Sequence, residues 1–590
     1  MSPMRELTPA VVVAALAGAA PAGPAFVDVA AESGLLSVFD PADGYPGVHW
    51  HMAGGGAVAD FNNDGWPDVF LPAGGNAPDR LFINQGPDAS GFVTFEEQTA
   101  AWGCDLAHRS GGCAVGDVNR DGYVDLFVMS MGRTPFPAAI SANVLYLNNG
   151  PDNNGDWSFT DVSQTSGVRG VHTTLDGMGA AFGDYDLDGD LDLALCHWYD
   201  IPGSVRLLTN DGTGSFSETI TLPPHADREI NGFQPRFADL NGDRYPELIV
   251  TGDFDTSAVW FNSGPDASGA ITFDLRVEEA GLGKDCNAMG SALADFNNDL
   301  LLDWYITNIF YDVAGTCGNT LYLCQGINEN NTPVFAEVGQ TRGVREGGWG
   351  WGTTPLDLDH DGDLDLAATG GWFTWQPVPS RLFINDGAAN FTDRARTAGT
   401  DFTGNGRGYV SLDYDNDGDL DLLLIANEGT ARLYENQTPE AGTNHWLRVD
   451  LTTITNPCLA PGGFGTHVYV TAGGVTQKRH IDGAESYLSV GQRTAHFGLG
   501  GHAMADRVEI RYADGSTTVL TGVPADQILE VTAYHPADLT RDGAFTLDDV
   551  DPFVAAFLAS DAAADLNADG VLDFDDIDAL VAALSGNACD

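Results

Sequence analysis

A nine-residue phrase that returns seven times constrains the fold of this 590-residue chain more than any other feature. It begins at Asp60, Asp117, Asp184, Asp239, Asp295, Asp357 and Asp413, at intervals of roughly 55 to 67 residues. Each copy follows a small-residue strand such as 56–60 and precedes an apolar strand such as 69–71. A third strand ends in Asn84, Asn148, Asn385 or, in the last unit, Asn436, and a fourth is marked by Phe95, Phe159 or Phe391. Four short strands per unit, repeated seven times, predict a mainly β fold: a seven-bladed β-propeller whose blades bury their faces on one another. The fourth-strand signature also occurs at 26–29, ahead of the first unit, while the seventh unit stops after its third strand. The N-terminal strand is therefore expected to complete the last blade and remove two free edges.

The residues of the phrase are hard oxygen donors around a tight turn. Position one is Asp throughout: Asp60, Asp117, Asp184, Asp239, Asp295, Asp357 and Asp413. Position three is Asn62, Asn119, Asp186, Asn241, Asn297, Asp359 and Asp415, and position five is Asp64, Asp121, Asp188, Asp243, Asp299, Asp361 and Asp417. Position nine is Asp68, Asp125, Asp192, Glu247, Asp303, Asp365 and Asp421. Position seven offers a backbone carbonyl from Trp66, Tyr123, Asp190, Tyr245, Leu301, Asp363 and Asp419. Calcium takes six to eight oxygens, and alternate side chains on such a turn converge on one point, so these are read as structural calcium sites. Position six is Gly except at Arg244 and Leu300, and the fourth and fifth sites are expected to be the weakest for that reason.

The 84 acidic residues outnumber the 26 basic ones to give a net charge of −58, which excludes nucleic acid and anionic membranes as natural partners. Many of these acids sit in the repeated loops. Residues 1–25 read as a secretory signal, with Arg5 before an apolar run too short to span a membrane. Secretion makes disulfides plausible for the eight cysteines. The strand order pairs Cys104 with Cys113 and Cys286 with Cys317, and leaves Cys324 at the other end of its strand.

The seven units over residues 26–440 resemble the FG-GAP or VCBS-type repeats of integrin α-subunit propellers, a resemblance that implies an extracellular calcium-stabilised scaffold. From 444 to 534 alternating segments with Gly-rich turns predict a small β-sandwich. The pieces 462–465, 486–489, 496–500 and 512–515 resemble the ASPIC/UnbV module of cartilage acidic protein-like proteins. Residues 538–590 become helical and acidic, with two twelve-residue EF-type loops. Their ligand positions are Asp538, Thr540, Asp542, Ala544 and Asp549, then Asp565, Asn567, Asp569, Val571, Asp573 and Asp576. The pair resembles a type I dockerin, which implies docking onto a cohesin-like receptor.

In such a propeller the calcium phrases share one face, and the opposite loops gather His49, Trp50, His51, Arg109, His197, Trp198, Tyr199, Trp349, Trp351, Trp372, Trp375 and Arg407. Aromatic rings beside cations suit sugar rings and carboxylates. The sequence shows no nucleophile elbow, zinc run or phosphate loop. It therefore reads as a secreted or cell-surface scaffold that binds an extracellular carbohydrate or protein, with a calcium-dependent polysaccharide lyase as the alternative.

Overall fold

The computed structural model describes residues 23–39, 49–131, 142–169, 177–198, 203–224, 229–310, 317–373, 377–439, 442–543, 546–566 and 571–584. The leader expected at 1–25 lies almost wholly outside them.

Each repeated unit forms one four-stranded antiparallel sheet whose strands follow chain order. The first consists of Ala57–Ala59, Asp68–Leu71, Arg80–Pro87 and Val93–Glu97. Five more sheets span 110–161, 177–220, 231–275, 291–337 and 350–393. The seventh joins Gly406–Leu412, Asp421–Ala426 and Arg432–Asn436 to the N-terminal strand Phe26–Asp28, which pairs antiparallel with Arg432–Asn436 as expected.

Neighbouring sheets pack face to face through their alternating apolar residues. Phe70 and Leu81 of the first meet Val115 and Leu126 of the second. Ala114 and Phe127 of the second meet Phe182 and Leu193 of the third, and the pattern continues along the chain. Val410, Leu412 and Leu423 of the seventh pack on Val58, Val69 and Phe82 of the first, so the packing order returns to its start.

The following module is a sandwich. A three-stranded sheet, His445–Thr452, Ala495–Gly500 and Gln527–Thr532, faces a four-stranded sheet, His467–Ala472, Val475–His480, Met504–Arg511 and Thr517–Pro524. Leu447, Val449 and Phe497 of one face meet Val468, Val508 and Ile510 of the other.

The sandwich is not an appended bead. Its segment 484–491 runs into the space that the innermost strands surround. Ser486 exchanges backbone hydrogen bonds with Ser291 of the fifth sheet, and its hydroxyl accepts from the Thr353 and Tyr409 amides of the sixth and seventh. Leu488 and Val490 carbonyls accept from Cys113 and Val58 of the second and first. Tyr487 and Leu488 are fully buried among Met52, Met131, Met178, Phe233, Met289 and Trp351. Burying two such side chains contributes on the order of 3 to 6 kcal/mol. The small-residue innermost strands are what admit the segment: a Cβ at Gly55 would lie 1.9 Å from the Leu488 carbonyl oxygen, and one at Gly408 would lie 2.3 Å from Ser489 Oγ.

Two helices follow, Val550–Ala559 and Phe574–Leu584, packed through Phe553 and Leu580. No helix among the described residues is long and apolar enough to cross a membrane.

Cys286 and Cys317 form the expected disulfide. The expected Cys104–Cys113 bond is not formed: both are free, buried thiols. Cys113 belongs to the strand Ser110–Gly116 and faces the core between two sheets, while Cys104 follows the helical turn Thr99–Trp102 with its thiol 3.5 Å from the Thr99 carbonyl oxygen. Burial pushes the Cys104 thiol up to about 12, which disfavours the reactive thiolate there. Cys458 is also disulfide-bonded.

Candidate metal centres and the opposite face

All seven phrases close the same turn between the first and second strands of a sheet. Asp60 shows the pattern: its two carboxylate oxygens accept the amides of Asp64 at 3.0 Å and Gly65 at 2.7 Å. Arg244 and Leu300, at the position where Gly was expected, adopt φ of 81° and 70° and still donate to Asp239 and Asp295 at 2.9 and 2.8 Å. The turn therefore tolerates a side chain there, and its backbone geometry does not single out the fourth and fifth loops.

Position nine works as a latch. Asp68 accepts the Phe61 amide on one oxygen and the Asn84 amide on the other, at 2.9 and 2.8 Å, and Asp125, Asp192, Asp303 and Asp421 repeat this. The third-strand Asn, which sequence reading took only as a strand end, carries a second bond between sheets. Asn84, Asn148, Asn210, Asn262, Asn385 and Asn436 each donate Nδ2 to the position-two carbonyl of the preceding sheet's loop. Its signal was visible as a recurrent Asn. In the fifth sheet Cys324 stands in that place.

Position four links the loops in the other direction. Asn63 donates to the Gly122 carbonyl, Arg120 to that of Gly189, and Asn416 to that of Gly65, which again connects the seventh unit to the first. The His360 ring lies 3.1 Å from the Gly418 carbonyl oxygen.

The loops differ at position three. Where it is Asn, the amide donates to the position-five carboxylate: Asn62 to Asp64 at 2.8 Å, and Asn119, Asn241 and Asn297 to Asp121, Asp243 and Asp299 at 2.9 Å each. Where it is Asp, no such donor exists. Asp184, Asp186 and Asp192, then Asp357, Asp359 and Asp361, then Asp413, Asp415 and Asp421 converge with ligand atoms within 4.8 Å of one another. Oδ1 of Asp184, Asp186, Asp357, Asp413 and Asp415 is buried without a hydrogen-bond partner. Burial, then repulsion from Asp417, pushes the Asp415 carboxyl up to about 7; burial, then Asp361, pushes Asp357 to about 8. Converging buried oxygens that repel one another fit a divalent cation, and an all-oxygen set on a tight turn fits calcium.

The two terminal loops close likewise. Asp538 accepts the Asp542 and Gly543 amides at 3.2 and 2.8 Å, and Asp549 accepts those of Thr540 and Thr546 at 3.0 Å each. Asp576 accepts the Leu566 and Asp573 amides at 2.9 Å each. Ala544, Asn567 and Asp569 lie outside the described residues, and Val571 is exposed.

The sandwich packs on the face that carries the loops, against those of the second, fourth, sixth and seventh sheets. The Gly498 amide donates to Asp357 at 2.9 Å, Arg448 lies 3.3 Å from Asp413 and 2.8 Å from Asn416, and Arg244 donates to the Asp514 carbonyl at 2.7 Å. Arg120 reaches the Asn456 and Leu459 carbonyls at 3.1 Å each. Beneath the sandwich a cavity of about 130 Å³ is lined by Arg236, Arg479, Arg493, Asp482, Glu485 and Gln492 among others, with Arg236 paired to Asp482 at 2.6 Å.

On the opposite face the expected ligand residues meet, but several are buried. His51, Trp349, Trp351 and Trp372 come together: Trp349 stacks on Trp372 at 4.6 Å, and Arg407 lies over Trp351 at 4.2 Å. Trp351 is 1 % exposed, Arg407 0 % and Arg109 1 %, and His51 and His197 are also buried, so these five do not present a surface. Arg407 spends its guanidinium on the carbonyls of His51, Gly371 and Gly406. Trp50, Trp198 and Trp349 are half-buried, and Trp372 is nearly buried. Trp198 donates to Asp253 at 3.0 Å. Tyr199 and Trp375 lie outside the described residues, as does the His49 side chain. Sequence reading missed Phe254, 50 % exposed beside Trp198, and placed Phe373, 42 % exposed beside Trp372, in the Trp372–Trp375 loop without singling it out.

Against known proteins, residues 60–128 and 184–250 match the FG-GAP-like repeat, and residues 460–536 match the ASPIC and UnbV family. Cartilage acidic protein 1 of Xenopus tropicalis is 22 % identical over 477 residues, which are 79 % of this chain and 52 % of that protein. Cartilage acidic protein 1 of Homo sapiens is 34 % identical over 145 residues, 24 % of this chain and 21 % of that protein. Among solved structures, Bacillus licheniformis rhamnogalacturonan lyase PL11 aligns over 65 % of this chain and 71 % of its own, with a TM-score of 0.32 and 13 % identity. Exotype rhamnogalacturonan lyase YesX aligns over 82 % and 74 %, with a TM-score of 0.32 and 14 % identity. The chain thus carries FG-GAP-like repeats and an ASPIC/UnbV domain, is distantly related to cartilage acidic protein 1, and spans about half the length of that relative or less.

Proposed function

We propose that the seven sheets are the blades of a closed, calcium-braced β-propeller, secreted or held at the cell surface, that binds an extracellular carbohydrate or protein on the face opposite its metal loops. The observation that carries this is the division of the two faces. The sandwich packs on the metal-loop face and fills the axis, while the other face keeps Phe254, Phe373, Trp198 and Trp349 at least partly exposed. Exposed rings on a rigid frame suit stacking against a sugar or an apolar side chain. The disulfide fits an oxidising compartment.

The terminal helices supply the tether of this reading. Leu547, Leu558 and Phe574 are 80 %, 81 % and 80 % exposed, an apolar surface that suits docking onto a cohesin-like receptor. Arg109, Arg407 and His197, the basic groups that a lyase would draw on, are buried, which favours binding over turnover.

A glycan array probed with the calcium-loaded protein tests the reading. Specific binding is expected, weakened at least tenfold by the double variant Phe254→Ser/Phe373→Ser with its melting temperature unchanged. Equal binding by the double variant, or a polysaccharide returned with unsaturated, ultraviolet-absorbing ends, overturns it.

A further inference from the structure

We infer that the loops of the third, sixth and seventh sheets form a distinct, tighter class of calcium sites, and that filling them locks the sandwich and its axial segment in place; the inference rests on the calcium reading above. Position three divides the seven loops. In the Asn loops its amide already satisfies the position-five carboxylate, so an entering cation must break that hydrogen bond. In the Asp loops it cannot donate. Asp184, Asp357 and Asp413 are 5 %, 0 % and 0 % exposed, and each holds Oδ1 without a hydrogen-bond partner at a convergence of carboxylates. The same three loops carry an extra acid at position seven, Asp190, Asp363 and Asp419. Five acids on a closed turn attract a divalent cation more strongly than three, and no position-three side-chain donor competes for the position-five carboxylate.

These loops are also seats of the sandwich. In the sixth, Asp357 gives Oδ2 to the Gly498 amide, and Asn444 donates to the Asp359 carbonyl at 2.8 Å. In the seventh, Asp413 gives Oδ2 to Arg448 while its amide donates to Gln492 Oε1 at 2.8 Å, and the His496 ring lies 2.9 Å from the Gly418 carbonyl oxygen. In the third, Arg120 bridges the Gly189 carbonyl to the sandwich carbonyl of Leu459. Docking thus occupies Oδ2 of Asp357 and Asp413 and leaves Oδ1 for the ion. What fixes one oxygen orients the other, so ion binding and docking stabilise each other reciprocally.

Equilibrium dialysis with radioactive calcium on the full chain, paired with hydrogen exchange of the 484–491 amides, tests this. The triple variant Asp186→Asn/Asp359→Asn/Asp415→Asn is expected to lose three equivalents from the tightest class and, at calcium levels that saturate the wild type, to lose protection at 484–491. Asn62→Asp, which gives the first loop an Asp at position three, is expected to gain affinity at one site and keeps the test informative if the triple variant misfolds. A triple variant with unchanged tight stoichiometry, unchanged protection at 484–491, or an Asn62→Asp variant with no gain, overturns the inference. A wild type that binds no calcium defeats the calcium reading itself.

Discussion

Glu485 shows what a single residue of the axial segment imposes on its neighbours. Its carboxyl is enclosed between Thr354 and Ser411, and burial pushes it up to about 7. A carboxyl raised in the folded state binds more protons than its unfolded counterpart between the two pKa values. Its contribution is therefore complete below about 4.5 and is lost as pH rises toward 7. Glu485→Gln, which is permanently neutral, is expected to be more stable than the wild type at pH 8 by up to roughly 3 kcal/mol, with no difference near pH 4. Urea midpoints across this range check it, and equal midpoints at pH 8 count against it. At this scale the acidic turns were legible because their carboxylates alternate, and in the third, sixth and seventh loops those carboxylates converge. Sequence reading failed for Arg407 and Trp351, which are buried in the cluster around Tyr487 and Leu488, residues that arrive from far along the chain. It failed for Cys104 and Cys113 because proximity in a loop does not set the direction of two side chains.

Between elements, the third-strand Asn ties each sheet to the one before it. Asn148→Ala leaves the Phe61 carbonyl without this donor and is expected to cost about 1 to 2 kcal/mol. Cys324 offers the converse change. It occupies the Asn position and its amide already donates to Asp303 as Asn148 does to Asp125, but its thiol points to the Gly326 carbonyl and it lacks the Asn side-chain amide. Cys324→Asn is expected to raise stability by about 1 kcal/mol, read as a shifted denaturant midpoint at unchanged slope; a destabilised variant would contradict the latch. The strands and their order were legible because their alternation and the recurrent acidic turn fix register locally. The latch was not, because its acceptor belongs to a turn in another repeat.

For the whole molecule, the sandwich was legible as a module but not as the plug of the ring. Small residues at 55, 112 and 408 and the Ser486–Ser489 segment each look ordinary alone, and only their approach explains both. On the proposed calcium-braced reading, the sheets, their acidic loops and the sandwich are coupled through the same carboxylates, so they should unfold together when the ion is bound. Each site held at a hundredfold its Kd adds about 2.7 kcal/mol, and three such sites raise the melting temperature of roughly 500 cooperative residues by about 8 °C. Scanning calorimetry of the full chain in calcium and in excess chelator measures this most directly. A single main transition in calcium that falls by at least about that interval on chelation, since the weaker loops empty as well, is the result predicted here, and a melting temperature that is the same in both would contradict a calcium-braced ring.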